Sequence, residues 1–235
     1  MPSKRLMIKP QRSKSNMEIY ALKFGQSVLG EDQIFRGGDR GKVRPISFLF
    51  YLIKTDERLI LVDSGCDTMP GFEMEHFCGP KAVLSQCGLA PQDITDVIIT
   101  HAHHDHIERV NLYTGACIYI QREAYERGKK YIPNDRDVQL FDESCEIVSG
   151  VKAVTIGGHA HGSSVVEITV GQTVYVIVGD ECYLPDCFAL GIPTGASVCP
   201  EKSERFLKRY SSGYHLLYCH DPSVLPDQNG IVRVC

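Results

Sequence analysis

Residues 100–106 read Thr-His-Ala-His-His-Asp-His, so four of the nine histidines in this 235-residue chain fall within seven positions. They follow directly on Val97-Ile98-Ile99, a β-branched run with the character of a buried strand. No other feature constrains the fold as much. A strand has to run through the core and end at a site, where the loop after it splays alternate side chains toward one point. Imidazole and carboxylate are the ligands a borderline divalent metal prefers. The spacing His101-x-His103-x-Asp105-His106 puts four such donors on one short loop. Two metals held close together need about that density of ligands, with one carboxylate shared between them.

The rest of the chain reads as an α/β protein. Met17–Gly25 alternates like a strand, and Ile46–Lys54 and Arg58–Asp63 form a hairpin of buried strands around Thr55-Asp56-Glu57. Pro80–Cys87 predicts a short helix ended by Gly88, and a strand follows at Val97–Thr100. Cys117–Gln121 is a strand and Arg122–Lys129 a helix. Val151–Ile156, Ser164–Val170 and Val174–Val178 are strands, the last two joined at Gly171-Gln172. Pro200–Tyr210 is a helix with Glu201 and Glu204 early and Lys208 and Arg209 late, as the helix dipole favours. His215–Cys219 is the final strand. Strand blocks alternating with helices, and no linker or short-period repeat, predict a single domain over residues 17–235. Residues 1–16, with Lys4, Arg5, Lys9, Arg12 and Lys14 and no acid, read as a flexible basic leader.

Composition narrows the function classes. A net charge of −4 offers no field for nucleic acid or an anionic membrane, and no apolar run reaches bilayer length. Ten cysteines without a Cys-x-x-Cys pair, and no apolar segment in the first twenty residues, read as reduced, mostly buried thiols in a cytoplasmic protein.

The His-rich loop resembles the HxHxDH signature of the metallo-β-lactamase superfamily, and further segments in order strengthen the resemblance. Leu61-Val62-Asp63-Ser64-Gly65 is similar to its LVD(T/S)G strand end, and Gly158-His159 to the start of its GHTxGH segment. Val178-Gly179-Asp180 and Tyr218-Cys219-His220-Asp221 are similar to the strand ends that supply its bridging aspartate and last histidine. The resemblance covers essentially Met17 to the C-terminus. It implies a four-layer αββα sandwich, two mixed sheets with helices on the outer faces. It also implies two divalent metals, Zn²⁺ above all: His101, His103 and His159 on one, Asp105, His106 and His220 on the other, and Asp180 between them. Asp63 would orient a ligand from behind, or simply turn the chain at a strand end. His104 would point away from the metals, and His161 is positioned to line the pocket.

The resemblance further implies a hydrolase that uses metal-activated water against a small-molecule substrate. Aspartate at 180, where β-lactamases of the fold carry cysteine, favours ester, thioester and phosphodiester hydrolases. His103 stands where the flavin-linked di-iron members have glutamate. Tyr183, three residues after Asp180, is similar to the tyrosine that contacts the substrate carbonyl in the N-acyl-homoserine lactonase group, or else is a packing tyrosine. His220-Asp221-Pro222 and the chain length resemble that group too. The implied reaction is opening of a lactone or a related carboxylic ester, with Asp105 or Asp180 moving the proton and Tyr183 donating to the oxyanion. A glyoxalase II-like thioesterase is the alternative, and a metal or redox sensor with Cys182 and Cys219 beside the site is a more distant one. The chain departs from the family pattern at Ala160-His161-Gly162-Ser163, where the second GHTxGH histidine is missing. It departs again at Ile107-Glu108-Arg109, where glycines are usual, and in a short segment between Asp63 and His101. These departures bear on the pocket wall.

Overall fold

The computed structural model describes residues 17–224 and 231–235; the basic leader assigned to residues 1–16 lies outside them. The first sheet contains β1 (Glu18–Gly30), β2 (Val43–Lys54), β3 (Leu59–Val62), β4 (Asp96–Ile99), β5 (Cys117–Gln121) and β6 (Val138–Phe141). The second contains β7 (Ser144–Val148), β8 (Val151–Thr155), β9 (Ser164–Val170), β10 (Thr173–Ile177) and β11 (His215–Leu217), and β12 (Ile231–Arg233) returns to the edge of the first. The strand orders are β12-β1-β2-β3-β4-β5-β6 and β11-β10-β9-β8-β7. Both sheets are mixed. β3 through β6 run parallel and β10 pairs parallel with β11, while the other pairs are antiparallel.

The continuous apolar runs of the sequence exist because most central strands are buried on both faces. In β2, Leu49, Tyr51 and Ile53 join one core with Ile60 and Val62 of β3, Ile98 of β4, and Val166 and Ile168 of β9. That core lies between the sheets. The alternating residues Phe48, Phe50 and Leu52 belong to a second cluster with Val83 and Leu84 of α2 (Pro80–Gln86), after the short α1 (Glu31–Ile34) in the chain. The β9 and β10 residues Val165 and Val176 join that cluster as well, with Phe206 and Leu207 of a C-terminal helix over Pro200–Arg209. Period-2 alternation therefore divides each strand between an inter-sheet layer and a helix-covered layer, giving the four-layer sandwich. Burying each of these large side chains contributes about 1.5–3 kcal/mol. The Tyr51 hydroxyl, buried in β2, is satisfied: it donates 2.7 Å to the Tyr218 carbonyl.

The predicted hairpin of the second and third runs is present, with Tyr51 opposite Val62, and Gly171 turns between β9 and β10 at φ +63°. Several elements go beyond the sequence reading. β1 continues to Gly30 past a bulge between Lys23 and Gly25, and β6, β7 and β12 form half-exposed edges without clean alternation. No helix among the described residues is long and apolar enough to cross a membrane.

Candidate metal centre

The parallel directions of β3, β4, β8, β10 and β11 bring the loops after them to one edge of the sandwich. His101 and His103 lie in the loop after β4, and Asp105 and His106 in α3 (His104–Ile107). His159 follows β8, Asp180 follows β10, and His220 follows β11. Crevices beyond the carboxyl ends of strands are where open α/β sheets place their sites.

The seven side chains form two groups that could each hold a metal ion. In the first, His103 Nδ1 lies 3.0 Å from His101 Nε2 and 2.9 Å from His159 Nε2. Asp180 Oδ2 completes this group at 3.7 and 3.6 Å from the same two Nε2 atoms. In the second, His106 Nε2 and His220 Nε2 lie 3.4 and 3.7 Å from Asp105 Oδ2. Asp180 Oδ1 lies 3.2 Å from His106 Nε2 and 3.1 Å from His220 Nε2. The two oxygens of Asp180 are thus divided between the two groups.

Four of the five rings are aimed by a partner on the outer nitrogen. His106 Nδ1 donates 2.7 Å to Asp63 Oδ2, His220 Nδ1 donates 2.9 Å to the Ser47 carbonyl, and His159 Nδ1 donates 2.6 Å to the Ala196 carbonyl. His101 Nδ1 lies 3.1 Å from Thr100 Oγ1, whose hydroxyl donates to Asp63. These partners fix the tautomers and turn Nε2 lone pairs inward. Asp63 itself sits at φ +67° and also accepts 2.8 Å from the Thr100 backbone N–H, tying the ends of β3 and β4 together. It therefore serves both as the turn residue and as the ring-orienting carboxylate.

Among the described residues, His106 Nε2, His220 Nε2 and Asp180 Oδ1 are buried without a hydrogen-bond partner. Lone pairs of nitrogen and carboxylate oxygen facing each other at 3.1–3.2 Å repel unless a proton or a metal ion lies between them. The donor set therefore fits divalent metal ions. The electrostatics agree: burial works against ionising Asp180, yet His106, His220 and His101 hold its carboxyl well below the ordinary range. Burial also opposes protonation of His106, but Asp180, Asp105 and Asp63 together outweigh it and raise its imidazole well above the ordinary value.

Tyr183 is buried with its ring 5.8 Å from that of His159 and 5.1 Å from that of His220. Burial, then the Asp180 charge, pushes its phenol well above the ordinary value, so the hydroxyl keeps its proton. It lines a cavity of about 300 Å³ with His103, Asp105, His159, Asp180 and His220, walled by Leu29, Ile46, Phe48, Met69 and Phe72. His104 belongs to neither metal group; its ring reaches the Thr68 carbonyl at 2.9 Å and Tyr131 Oη at 3.3 Å, at the side of the cavity. His161 does not line this cavity, contrary to expectation. It is exposed, and Gly162 after it turns the loop at φ +72°. Cys182 and Cys219 are fully buried, and Cys219 packs behind the site beside Asp63 and His106.

Glu181 is a site residue that the sequence reading misses. It is buried, accepts 3.1 Å bonds from the backbone N–H groups of both Gly158 and His159, and accepts a short one from Ser163 Oγ. Burial raises its carboxyl to about 7. It props the loop that carries His159. Its partners are 22 and 23 residues away, so no local pattern marks it.

Comparison with known proteins agrees with this architecture. The family model of the metallo-beta-lactamase superfamily matches residues 49–201. The chain is 25% identical over 216 residues to an N-acyl homoserine lactonase of Bacillus thuringiensis, covering 82% of this chain and 86% of that one. It is 32% identical over 127 residues to a probable metallo-hydrolase of Methanocaldococcus jannaschii, covering 54% and 56%. The fold superposes with a TM-score of 0.77 on an N-acyl homoserine lactone hydrolase solved with N-hexanoyl-L-homoserine at its catalytic metal center. That pair is 22% identical, over 88% of this chain and 94% of that one. A dizinc quorum-quenching lactonase superposes with a TM-score of 0.72 at 17% identity, over 89% of each chain. The chain belongs to the metallo-beta-lactamase superfamily and is a metal-dependent hydrolase.

Proposed function

We propose that His101, His103 and His159 hold one divalent ion, that Asp105, His106 and His220 hold a second, that Asp180 bridges them, and that the site opens lactones or closely related carboxylic esters. The division of the two Asp180 oxygens between the groups carries this reading. A set of imidazoles and carboxylates suits Zn²⁺. When bound, such ions supply Lewis acidity, which polarises a carbonyl and makes water acidic enough to attack it near neutral pH.

The protein's own groups do the rest. Tyr183, held protonated beside Asp180, donates its O–H to the carbonyl oxygen as negative charge develops there. Asp105, which lines the cavity, accepts the proton that the attacking water gives up. A bond forms between the water oxygen and the acyl carbon, and the bond from that carbon to the ring oxygen breaks. Asp105 then returns the proton to the departing alkoxide, so one water is consumed and a hydroxy acid is released. Leu29, Ile46, Phe48, Met69 and Phe72 give the cavity an apolar wall suited to an acyl chain. The similarity to N-acyl homoserine lactonases supports the same substrate class.

The test is turnover by the zinc-reconstituted protein of acyl-homoserine lactones of short and long chain, beside a glutathione thioester. Lactone opening with little thioester cleavage is expected. Thioester cleavage alone would replace this reading with the glyoxalase II-like one.

A further inference from the structure

The segment between β3 and α2 contributes Met69 and Phe72 to the cavity wall. Between these two residues the chain makes a tight turn, with the Phe72 N–H donating 3.2 Å to the Met69 carbonyl and Gly71 at φ +89°. Both ends of the turn are fastened. Beyond it, Glu75 and Gln26 of β1 exchange backbone hydrogen bonds at 2.9 and 3.0 Å, and Ser27 Oγ donates 2.7 Å to the Glu73 carbonyl. Before it, the chain is sewn to α3 and the residues that follow. Glu108 accepts the Asp67 N–H at 2.9 Å, Arg109 Nε lies 2.9 Å from Asp67 Oδ2, and His104 Nε2 donates 2.9 Å to the Thr68 carbonyl. A β-carbon on Gly79 would collide with Asp67 Oδ1, so the same carboxylate also packs on the start of α2. Glu108 and Arg109, both half-buried, stand where the family pattern has glycines, and glycine could make neither tie.

The turn is coupled to the metal ligands by packing. Phe72 meets Phe48 edge-on at 5.8 Å, and Phe48 meets the His220 ring edge-on at 5.2 Å. A wall fastened at both ends neither withdraws from a ligand nor folds over one. The cavity, about 300 Å³, lies at the small end of ligand pockets. Methylenes beyond those it holds stay in water and gain nothing, whereas a wall free to close over them gains about fourfold in kcat/KM for each one covered. We infer that Asp67, Glu108 and Arg109 are positioning residues that set acyl-length selectivity. They hold the turn over residues 69–72 at one distance from the metal ligands, so that short acyl chains are preferred. This rests on the lactone-opening reading and adds the size of the acyl group to it.

The experiment compares kcat/KM for N-butanoyl and N-decanoyl homoserine lactones in zinc-reconstituted wild type, Glu108→Gln, and the double variant Glu108→Ala with Arg109→Ala. Glu108→Gln keeps an acceptor for the Asp67 N–H, and the double variant removes both ties. Hydrogen exchange over residues 66–72 registers loosening of the turn, and melting temperature and zinc content register the rest of the fold. Wild type is expected to favour the butanoyl substrate, and Glu108→Gln to keep that ratio. The double variant is expected to exchange faster over 66–72 and to move the ratio at least about fourfold toward the decanoyl substrate. A general loss of stability or zinc lowers both rates together and leaves the ratio alone. Wild type that favours the decanoyl lactone, or a double variant with unchanged ratio or unchanged exchange, overturns the positioning role and leaves the lactone reading standing. Wild-type protein that opens neither lactone contradicts that reading and the inference with it.

Discussion

Asp63 Oδ2 lies 2.7 Å from His106 Nδ1, and the same carboxylate accepts the Thr100 N–H and hydroxyl at 2.8 and 2.9 Å. One buried side chain therefore closes the turn after β3, anchors the end of β4 and sets the tautomer of a candidate ligand. Asp63→Asn retains a residue type that tolerates φ +67° but turns an amide donor toward other donors. The expected outcome is a loss of about 10–100-fold in affinity for the metal nearest His106, measured by competition with a chelator. Unchanged affinity would show that Asp63 serves the turn alone.

Tyr183→Phe removes the hydroxyl and keeps the ring that packs between His159 and His220. If the phenol donates to the developing oxyanion, kcat falls about 10²–10³-fold while metal content stays at the wild-type level. A fall confined to melting temperature would make it a packing tyrosine.

Gly158 touches the prop of the His159 loop so closely that a β-carbon would lie 2.4 Å from Glu181 Oε2 and 2.9 Å from the Ser203 backbone nitrogen. Backbone cannot yield as a flexible side chain can. Gly158→Ala is expected to destabilise the fold by about 1–3 kcal/mol in urea unfolding and to lower occupancy of the site that includes His159. A variant as stable as wild type would mean the loop moves freely.

Cys66 is fully buried, and burial pushes its thiol to about 12. At pH 8 its thiolate fraction is on the order of 10⁻⁴, and it grows about tenfold per pH unit up to its pKa. Native protein at pH 8 should therefore leave Cys66 unmodified by iodoacetamide, with labelling rising as pH increases. Because the folded value lies above that of an unfolded thiol, this group also withdraws stability as pH rises through that range. Rapid labelling of Cys66 at pH 8, located by peptide mapping, would contradict the burial.

The central strands were legible because burial on both faces leaves an unbroken apolar run, as in Ile46–Lys54. The candidate ligands were legible because they sit in the segments that follow strand ends, in a recognisable local pattern. What escaped the sequence depends on partners far along the chain. Glu181 gains meaning only from Gly158, His159 and Ser163, all distant from it in the sequence. The edge strands β6 and β7 are short and mostly exposed or half-buried, so no hydrophobic run reveals them. His161 was misplaced because spacing from His159 says nothing about which way a loop side chain points.

Metal stoichiometry of wild type beside Asp180→Asn, by elemental analysis after zinc reconstitution and removal of free ions, tests the two-metal account most directly. Wild type should retain about two zinc ions per chain and the variant at most about one, with turnover nearly abolished, because the two oxygens of Asp180 are divided between the two groups. Wild-type protein that binds no metal, or an Asp180→Asn variant that keeps both ions and full activity, would contradict it.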